Sequence, residues 1–453
     1  MENVDVVVVG AGYAGLAAAV GLVEGGATVR VLEASDRVGG RVWTRDEGGV
    51  LIDHGGQWAG PAQTALLRFA DRFGCRRFPT YDDGQHLELW PGSAPVAYAS
   101  GALPRVHDSD GYQALIEQLD TMAADIDPER PGATPRIAAW DACTLQDWLI
   151  SAGGSPDANR RLRLVVQGLW ACEPRDVSLF HVLFYVAANG GLDPLLGTSG
   201  GAQDSRFIDG ADAPARAAAV YLGDAVRLGA PVTAIDWDRE GATVRTARSA
   251  VRARRVVVTG TPPAQARLTF SPQLPLPRRR WIARSPMGDV AKLHLTYAEP
   301  FWRSRGLSGQ LTTYDGSPVA YTFDNSPADG SCGVLAAFIY GDDYRAWSTQ
   351  PEEARHKAVL DVITVLGEEA AAPMDYHELR WPDQLWAEGA YAALPSPGTW
   401  HEHGAGWRDP VGPLHWAGTE TAGVGHGYID GAIRSGERAG AQVLTALSGE
   451  AGQ

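Results

Sequence analysis

The chain has 453 residues, 45% of them apolar, and its 54 acidic against 39 basic side chains give a formal charge of −15. That length exceeds what a single hydrophobic core usually serves, so two or three domains are expected, and the negative balance argues against nucleic acid or an anionic membrane as a partner. No run of about 18 apolar residues is present to span a bilayer, and the start, Met1-Glu2-Asn3-Val4-Asp5, lacks the basic region of a secretion signal.

Val6 to Val9 form an unbroken apolar run fit for a buried parallel strand. Gly10, Gly12 and Gly15 follow, and Leu16 to Val23 read as an Ala-rich helix, the strand, turn and helix context that a dinucleotide-binding fingerprint requires. Gly10 permits the tight turn, Gly12 lets backbone N–H groups approach a pyrophosphate, and Gly15 lets helix and strand pack closely. The phosphates would sit at the helix N-terminus. Glu33 ends the next strand, Thr28 to Leu32, about 20 residues beyond the glycines, where a carboxylate accepts hydrogen bonds from an adenosine ribose and repels a 2′-phosphate. Immediately downstream, Glu33 to Arg41 contains Arg37, Gly39, Gly40 and Arg41. This stretch resembles the second glycine motif of the two-domain flavin amine oxidases, in which the glycines and the arginine hold the pyrophosphate side of FAD. The two motifs together point to FAD rather than NAD. As an isolated pair, Arg37 and Arg41 would read as surface charges.

Leu51 to Trp58, with Gly56, Gln57 and Trp58, extend this N-terminal unit. Residues 79–204 are expected to be mostly helical, with Trp148, Trp170 and Phe184-Tyr185-Val186 on apolar faces and Asp127 to Pro135 as a surface loop. A second nucleotide-domain segment starts near Phe207, passes through a short strand at Val232, and reaches Val256 to Val258. Residues 281–379 mix β-runs, Lys292 to Tyr297 and Val334 to Tyr340, with a helix from Glu352 to Leu366. The third segment is Leu414 to Thr421, a strand leading into glycine-rich backbone, then a helix from about Tyr428. The fold class expected is α/β. Segments 1–78, 205–280 and 380–453 would assemble a Rossmann-like FAD-binding domain from discontinuous pieces, with residues 79–204 and 281–379 as an inserted α+β substrate-binding domain. Cys75, Cys143, Cys172 and Cys332 are scattered without a CxxC pair, which reads as buried thiols in a reducing cytoplasm and no metal site.

Gly10 to Gly15, Glu33 to Arg41, Gly200 to Phe207, Pro286 to Lys292, Glu299 to Arg303, Pro318 to Thr322, Gly418 to Thr421 and Tyr428 to Ala432 carry a resemblance, along nearly the whole chain, to the flavin-dependent monoamine oxidases. By matching position, Lys292 resembles the lysine that holds a water near flavin N5; a lysine in an apolar strand is rarely buried without a partner, and a surface lysine at an edge is the alternative. Tyr391 and Tyr428 resemble the two aromatic side chains in front of the flavin, whose rings attract a cationic amine and wall a neutral one. Trp381 resembles a tryptophan packed on the flavin, and Val232 a residue beside the adenine; for both, an ordinary core position stays open. The resemblance also implies cofactor contacts at Gly56, Gln57, Trp58, Gly418, Thr419, Glu420 and Ile429. Its pocket wall is Gly168, Leu169, Leu196, Gln203, Thr313, Tyr321 and Phe338, each of which could be core instead. Gly168 stands where relatives often have a larger side chain, so the cavity would be wider there unless Trp170 refills it. His54 and His426 are given no role.

Many relatives attach the flavin to a cysteine just before the first cage tyrosine; this chain has Ala390, so FAD should be bound non-covalently. The chain also ends at Gln453 without the apolar tail of mitochondrial members, which implies a soluble enzyme. The implied reaction converts an amine to an imine, then to an aldehyde or ketone, with dioxygen reduced to hydrogen peroxide. Rival readings are an L-amino-acid oxidase, which needs a cation for the substrate carboxylate, a secondary or cyclic amine oxidase, and an FAD-stabilised interaction protein. A homodimer is a further implication of the family.

Overall fold

The computed structural model describes residues 2–451; Met1, and Gly452 and Gln453, on which the expectation of a tail-free terminus falls, lie outside the described residues. The first apolar run becomes the strand Glu2–Val9, with Val6, Val7 and Val8 wholly buried. It lies between Val29–Leu32 and Ala250–Val258 and runs parallel to both. Val226–Arg227 and Leu414–Trp416 add parallel pairings, to Val31–Leu32 and to Val256–Val258 respectively. Valine on both faces of these strands suits a parallel sheet that is covered on each side. An antiparallel ribbon, Val232–Trp237 with Ala242–Thr246, extends the edge and ends in Thr269–Ser271.

The turn after the first strand depends on two glycines. Gly10 has φ +102°, where an L side chain is strained, and a Cβ on Gly15 would stand 2.0 Å from the Gly10 carbonyl oxygen. The helix that follows spans Tyr13–Glu24, starting ahead of Leu16 because extended Gly12 caps it. The C-terminal helix Ile429–Ala451 shares its core: Ile433, Ala439 and Val443 pack with Leu16, Ala18 and Leu22.

A second sheet has the order Asp375–Arg380, Val290–Tyr297, Gly333–Tyr340, Tyr321–Asp324, Leu307–Thr313, Gln85–Leu89, Val96–Ala99. Its pairings are antiparallel except for that between Leu307–Thr313 and Gln85–Leu89. Val290–Tyr297 and Gly333–Tyr340 are buried at every position. The two short strands at Gln85–Leu89 and Val96–Ala99 fall in the stretch expected to be mostly helical; at five and four residues they are too short to show a period, and they form by pairing with each other and, through Gln85–Leu89, with Leu307–Thr313. The rest of that stretch is helical, with Ser109–Ala123, Leu145–Ala152, Pro156–Trp170 and Leu179–Ala188 closing on a core that includes Phe180, Phe184, Trp400 and Trp407.

Two further details depart from expectation. The helix expected to end at Leu366 is an α-helix over Glu352–Ile363 that tightens to a 3₁₀ turn at Thr364–Leu366, and the Asp127 to Pro135 loop contains a 3₁₀ turn at Pro131–Ala133. All four cysteines are free thiols, but only Cys172 is buried as expected; Cys75, Cys143 and Cys332 are half-buried. Gly15→Ala is expected to destabilise the protein by on the order of 3 kcal/mol through overpacking against the Gly10 carbonyl. Thermal denaturation checks this, and a variant as stable as the parent would show that helix and strand do not approach so closely.

Candidate active site

Residues of both sheets and of the helical body line a cavity of about 670 Å³. One part of its wall is the pair of glycine turns, with Gly10, Gly12, Gly39 and Gly40 all exposed to it. The turns lie against each other: the Gly39 N–H donates to Ala11 O at 2.9 Å, and a Cβ on Gly40 would stand 3.3 Å from Gly12 Cα. Side chains here would fill the trough, so the bare backbone fits a pyrophosphate at the start of the helix. The Glu33 carboxylate, on the same wall, accepts from the Ala11 N–H at 2.6 Å and the Ser35 N–H at 2.8 Å. Those bonds orient it and leave lone pairs for ribose hydroxyls. Val232, Gly56, Gln57, Trp58, Trp381, Gly418, Thr419 and Ile429 line the cavity as well. This donor set and trough fit FAD.

Gly15 and Glu420 lie behind the wall. Gly15 serves the helix–strand contact, as expected of it. Glu420, expected at the cofactor, instead pairs with Arg41, its Oε2 accepting from Nη2 at 3.0 Å. Arg41 also donates to the Tyr391 carbonyl at 2.7 Å. Burial pushes the Glu420 carboxyl up, but Arg41 overcomes this and holds it below its ordinary range. Arg37 stacks over Trp43 at 4.4 Å and donates to the carbonyls of Val38, Gly40 and Val42, so both arginines are fixed parts of the turn rather than free surface charges.

Lys292 emerges from a fully buried strand into this cavity. Its Nζ donates to Asp53 O at 2.6 Å, to Gly55 O at 2.9 Å, and to Gln57 Oε1, and Gln57 is itself oriented by donating to Asn325 Oδ1 at 2.7 Å. Protein acceptors therefore take all three ammonium protons, and a water at Lys292 would have to displace one of them. Burial pulls the Lys292 pKa down to about 7, against the pull of Asp53 and with the help of Arg206.

The aromatic wall stands beside it. The hydroxyls of Tyr391 and Tyr340 are 2.8 Å apart, and the ring of Tyr428 lies 6.1 Å from that of Tyr185. Burial raises the pKa of Tyr391, and pushes that of Tyr428 up to about 12, so both rings stay neutral. Trp381 is anchored by its Nε1 donating to His54 O at 3.1 Å. The Ala390–Tyr391 peptide is cis.

Gly168, Leu169, Leu196, Gln203, Tyr321 and Phe338 reach the cavity, and Thr313 does not. The Thr313 hydroxyl finds its partner inside its own hairpin, the Val319 carbonyl, and Gln310 is the wall residue of that strand. The space above Gly168 is taken by Tyr321, whose Cε2 would be 3.0 Å from a Cβ there. Trp170 does not refill it; its ring packs edge-on to Tyr185 at 5.0 Å within the helical core. His54 and His426 are off the wall, both with burial lowering their pKa to about 4. Sequence reasoning missed Tyr340, Phe323 and Tyr185 as wall residues. Period-two spacing from Phe338 to Tyr340 and from Tyr321 to Phe323 could have found the first two, whereas Tyr185 sits on a helix apolar all round and carries no such signal.

The family profile described as "Flavin containing amine oxidoreductase" matches residues 13–444. The chain belongs to this family. It is 34% identical to the putrescine oxidase of Kocuria rosea over 98% of this chain and 96% of that one. It is 33% identical to the L-amino acid dehydrogenase of a Synechocystis strain, over 98% and 96%. The solved cyclohexylamine oxidase of Brevibacterium oxydans superposes with a TM-score of 0.94 at 33% identity, covering 98% of this chain and 99% of that one. This flavin-containing amine oxidoreductase is an FAD enzyme that oxidises an amine to an imine, and no helix among its described residues is long and apolar enough to cross a membrane.

Among the described residues no cysteine or histidine lines the cavity, and Ala390, on the wall beside Tyr391, has no sulfur to offer. Acid precipitation is therefore expected to release the flavin into the supernatant. A yellow pellet yielding a flavin-bearing peptide would contradict it.

Proposed function

We propose that the enzyme oxidises an apolar primary or secondary amine, with dioxygen as electron acceptor and hydrogen peroxide as second product. The observation that carries this reading is a buried lysine beside an aromatic wall that includes Tyr391 and Tyr428. FAD bound along the glycine turns supplies the two-electron oxidation. Gly10, Gly12, Gly39 and Gly40 would hold its pyrophosphate, Glu33 its ribose, and Trp381 would pack on its ring system. Tyr391 and Tyr428 attract the ammonium through their ring faces and then present apolar walls to the neutral amine. Tyr340, Phe338 and Leu169 exclude water around it. The imine that leaves is hydrolysed to an aldehyde or ketone.

Commitment of the wall cations weighs against an amino-acid substrate. Arg41 is held by Glu420 and the Tyr391 carbonyl, Arg37 by main-chain carbonyls, Lys292 by three acceptors, and Arg267 by Glu388 at 2.7 Å. A substrate carboxylate would have to break one of these. The acids on the wall, Glu33 and Asp36, belong to the nucleotide turn, which favours a substrate with one ammonium. Free thiols fit a reducing cytoplasm, and a homodimer rests on the family resemblance.

Anaerobic mixing with a panel of apolar amines, diamines and amino acids tests the reading. Apolar amines should bleach the flavin, and Tyr391→Ala or Tyr428→Ala should slow this bleaching about tenfold or more while FAD is retained. Bleaching by amino acids alone, or parental rates in both variants, would contradict it.

Lys292 gives a separate prediction. Its positive charge can stabilise negative charge that develops on dioxygen. Lys292→Met should slow flavin reoxidation far more than reduction. The ammonium is present below its pKa, so parental reoxidation should fall as pH rises through about 7, and that limb should vanish in the variant. Stopped-flow measurement of both half-reactions across pH decides; a parental limb retained in Lys292→Met would assign it to another group.

A further inference from the structure

Beside Lys292, off the cavity wall, is a cluster of imidazoles that the amine oxidation itself does not use. His294 follows Lys292 by two positions on Val290–Tyr297, so the two side chains leave the same face of the sheet. It is 0% exposed, and neither of its ring nitrogens has a protein partner. His377 lies directly across from it on the neighbouring strand. The His54 ring centre is 5.4 Å from that of His294 and 6.3 Å from that of His377. Glu47 bridges the outer pair, with one carboxylate oxygen 2.9 Å from His54 Nε2 and the other 3.8 Å from His377 Nδ1. His54 Nδ1 and His377 Nε2 are left without protein partners. The residues on either side of His54, Asp53 and Gly55, supply the carbonyls that hold Lys292.

Apart from Lys292 and His294, the buried positions of Val290–Tyr297 are apolar or hydroxyl-bearing. A buried polar atom without a partner is destabilising, and water is its usual bridge. An imidazole can accept a proton on one nitrogen while releasing one from the other. The cluster grades outward, from His294 through His54 at 2% side-chain exposure to His377 at 23%.

We propose that His377, Glu47, His54 and His294, bridged by water, form a proton path between solvent and Lys292. The proposal rests on the amine-oxidase reading, because that reaction moves protons across the cavity wall. Oxidation of an alkylammonium ion to its iminium ion releases two electrons and two protons, one proton from the carbon and one from the nitrogen; reduction of dioxygen to hydrogen peroxide consumes two of each. The charged groups facing the cluster, besides its own Glu47, are Lys292, Arg45 and Arg206. Burial foremost, with Lys292 assisting, keeps His54 and His294 neutral at ordinary pH, so they pass protons on rather than store charge. These residues act through Lys292 and are positioning residues.

The test uses FAD-loaded protein photoreduced in weak buffer, which makes it independent of the substrate's identity. On mixing with oxygen, proton uptake is followed with a pH indicator beside flavin absorbance. His294→Leu and His377→Gln should each slow proton uptake and the coupled reoxidation about tenfold, leave the flavin spectrum unchanged, and increase the solvent deuterium isotope effect on reoxidation. Added imidazole should restore His377→Gln. Parental proton uptake in both variants would overturn the path, as would a slowed His377→Gln that imidazole does not rescue. If His294→Leu fails to hold FAD, His377→Gln at the half-exposed end carries the test. Failure of every amine to bleach the flavin would sink the amine-oxidase reading through a different measurement.

Discussion

A cation buried in a β-sheet has to be solvated by the protein, and at Lys292 that requirement joins the two halves of the molecule. The lysine belongs to the second sheet, and its acceptors, Asp53 O, Gly55 O and Gln57 Oε1, belong to the loop that extends the nucleotide-binding unit. Removing water from an unpaired ammonium is prohibitive, so the sheet can keep Lys292 only if that loop docks against it. Neighbouring bonds lock the same seam: Gln57 to Asn325 at 2.7 Å, and Arg206 to the Ser326 carbonyl at 2.9 Å. The buried lysine therefore also positions the cavity.

Arg41 does for the other side of the cavity what Lys292 does here. One guanidinium ties the second glycine turn to the Tyr391 carbonyl and to Glu420 of the C-terminal segment, pieces of chain separated by 350 and 379 residues. Its partner carboxylate is buried, so loss of Arg41 would leave an uncompensated charge in the interior. Glu420 thus shapes the site without touching it: it sets Arg41, and Arg41 sets both the cofactor turn and the backbone of a wall tyrosine.

Polar and apolar functions are separated along the cavity. The side lined by the glycine turns has bare backbone and the carboxylates of Glu33 and Asp36, where phosphates would need donors and a ribose an acceptor. The wall around Tyr391, Tyr428, Tyr340, Tyr321 and Phe338 has rings and hydroxyls that satisfy one another, as at the 2.8 Å contact of Tyr340 with Tyr391. An amine entering there exchanges water for ring faces, which favours its neutral form. The histidines beside Lys292 lie outside this wall, and His54 also supports it through its carbonyl, which accepts from Trp381 Nε1 at 3.1 Å.

Local order in the chain was enough to read the nucleotide turn, because glycine spacing, a valine run and an acid at the next strand end are properties of adjacent residues. Lys292, Tyr391 and Tyr428 were legible for a related reason, since short motifs around them keep their spacing whatever the rest of the chain does. The helical and strand-forming runs were also legible in composition, apart from the two short strands at Gln85–Leu89 and Val96–Ala99, which are too short to show a period and form through their pairing with each other and with Leu307–Thr313. What the tertiary structure decided were matters of facing. Tyr321 rather than Trp170 covers Gly168, Thr313 turns into its own hairpin, Glu420 stands behind Arg41, and Tyr185 reaches the cavity from a helix buried all round. His294 meets His377 and His54 only through strand register and the docking of a distant loop. The physical reason is common to all of these: a sequence specifies which side chains need burial or a partner, but which surface meets which is settled only when the sheets and helices pack.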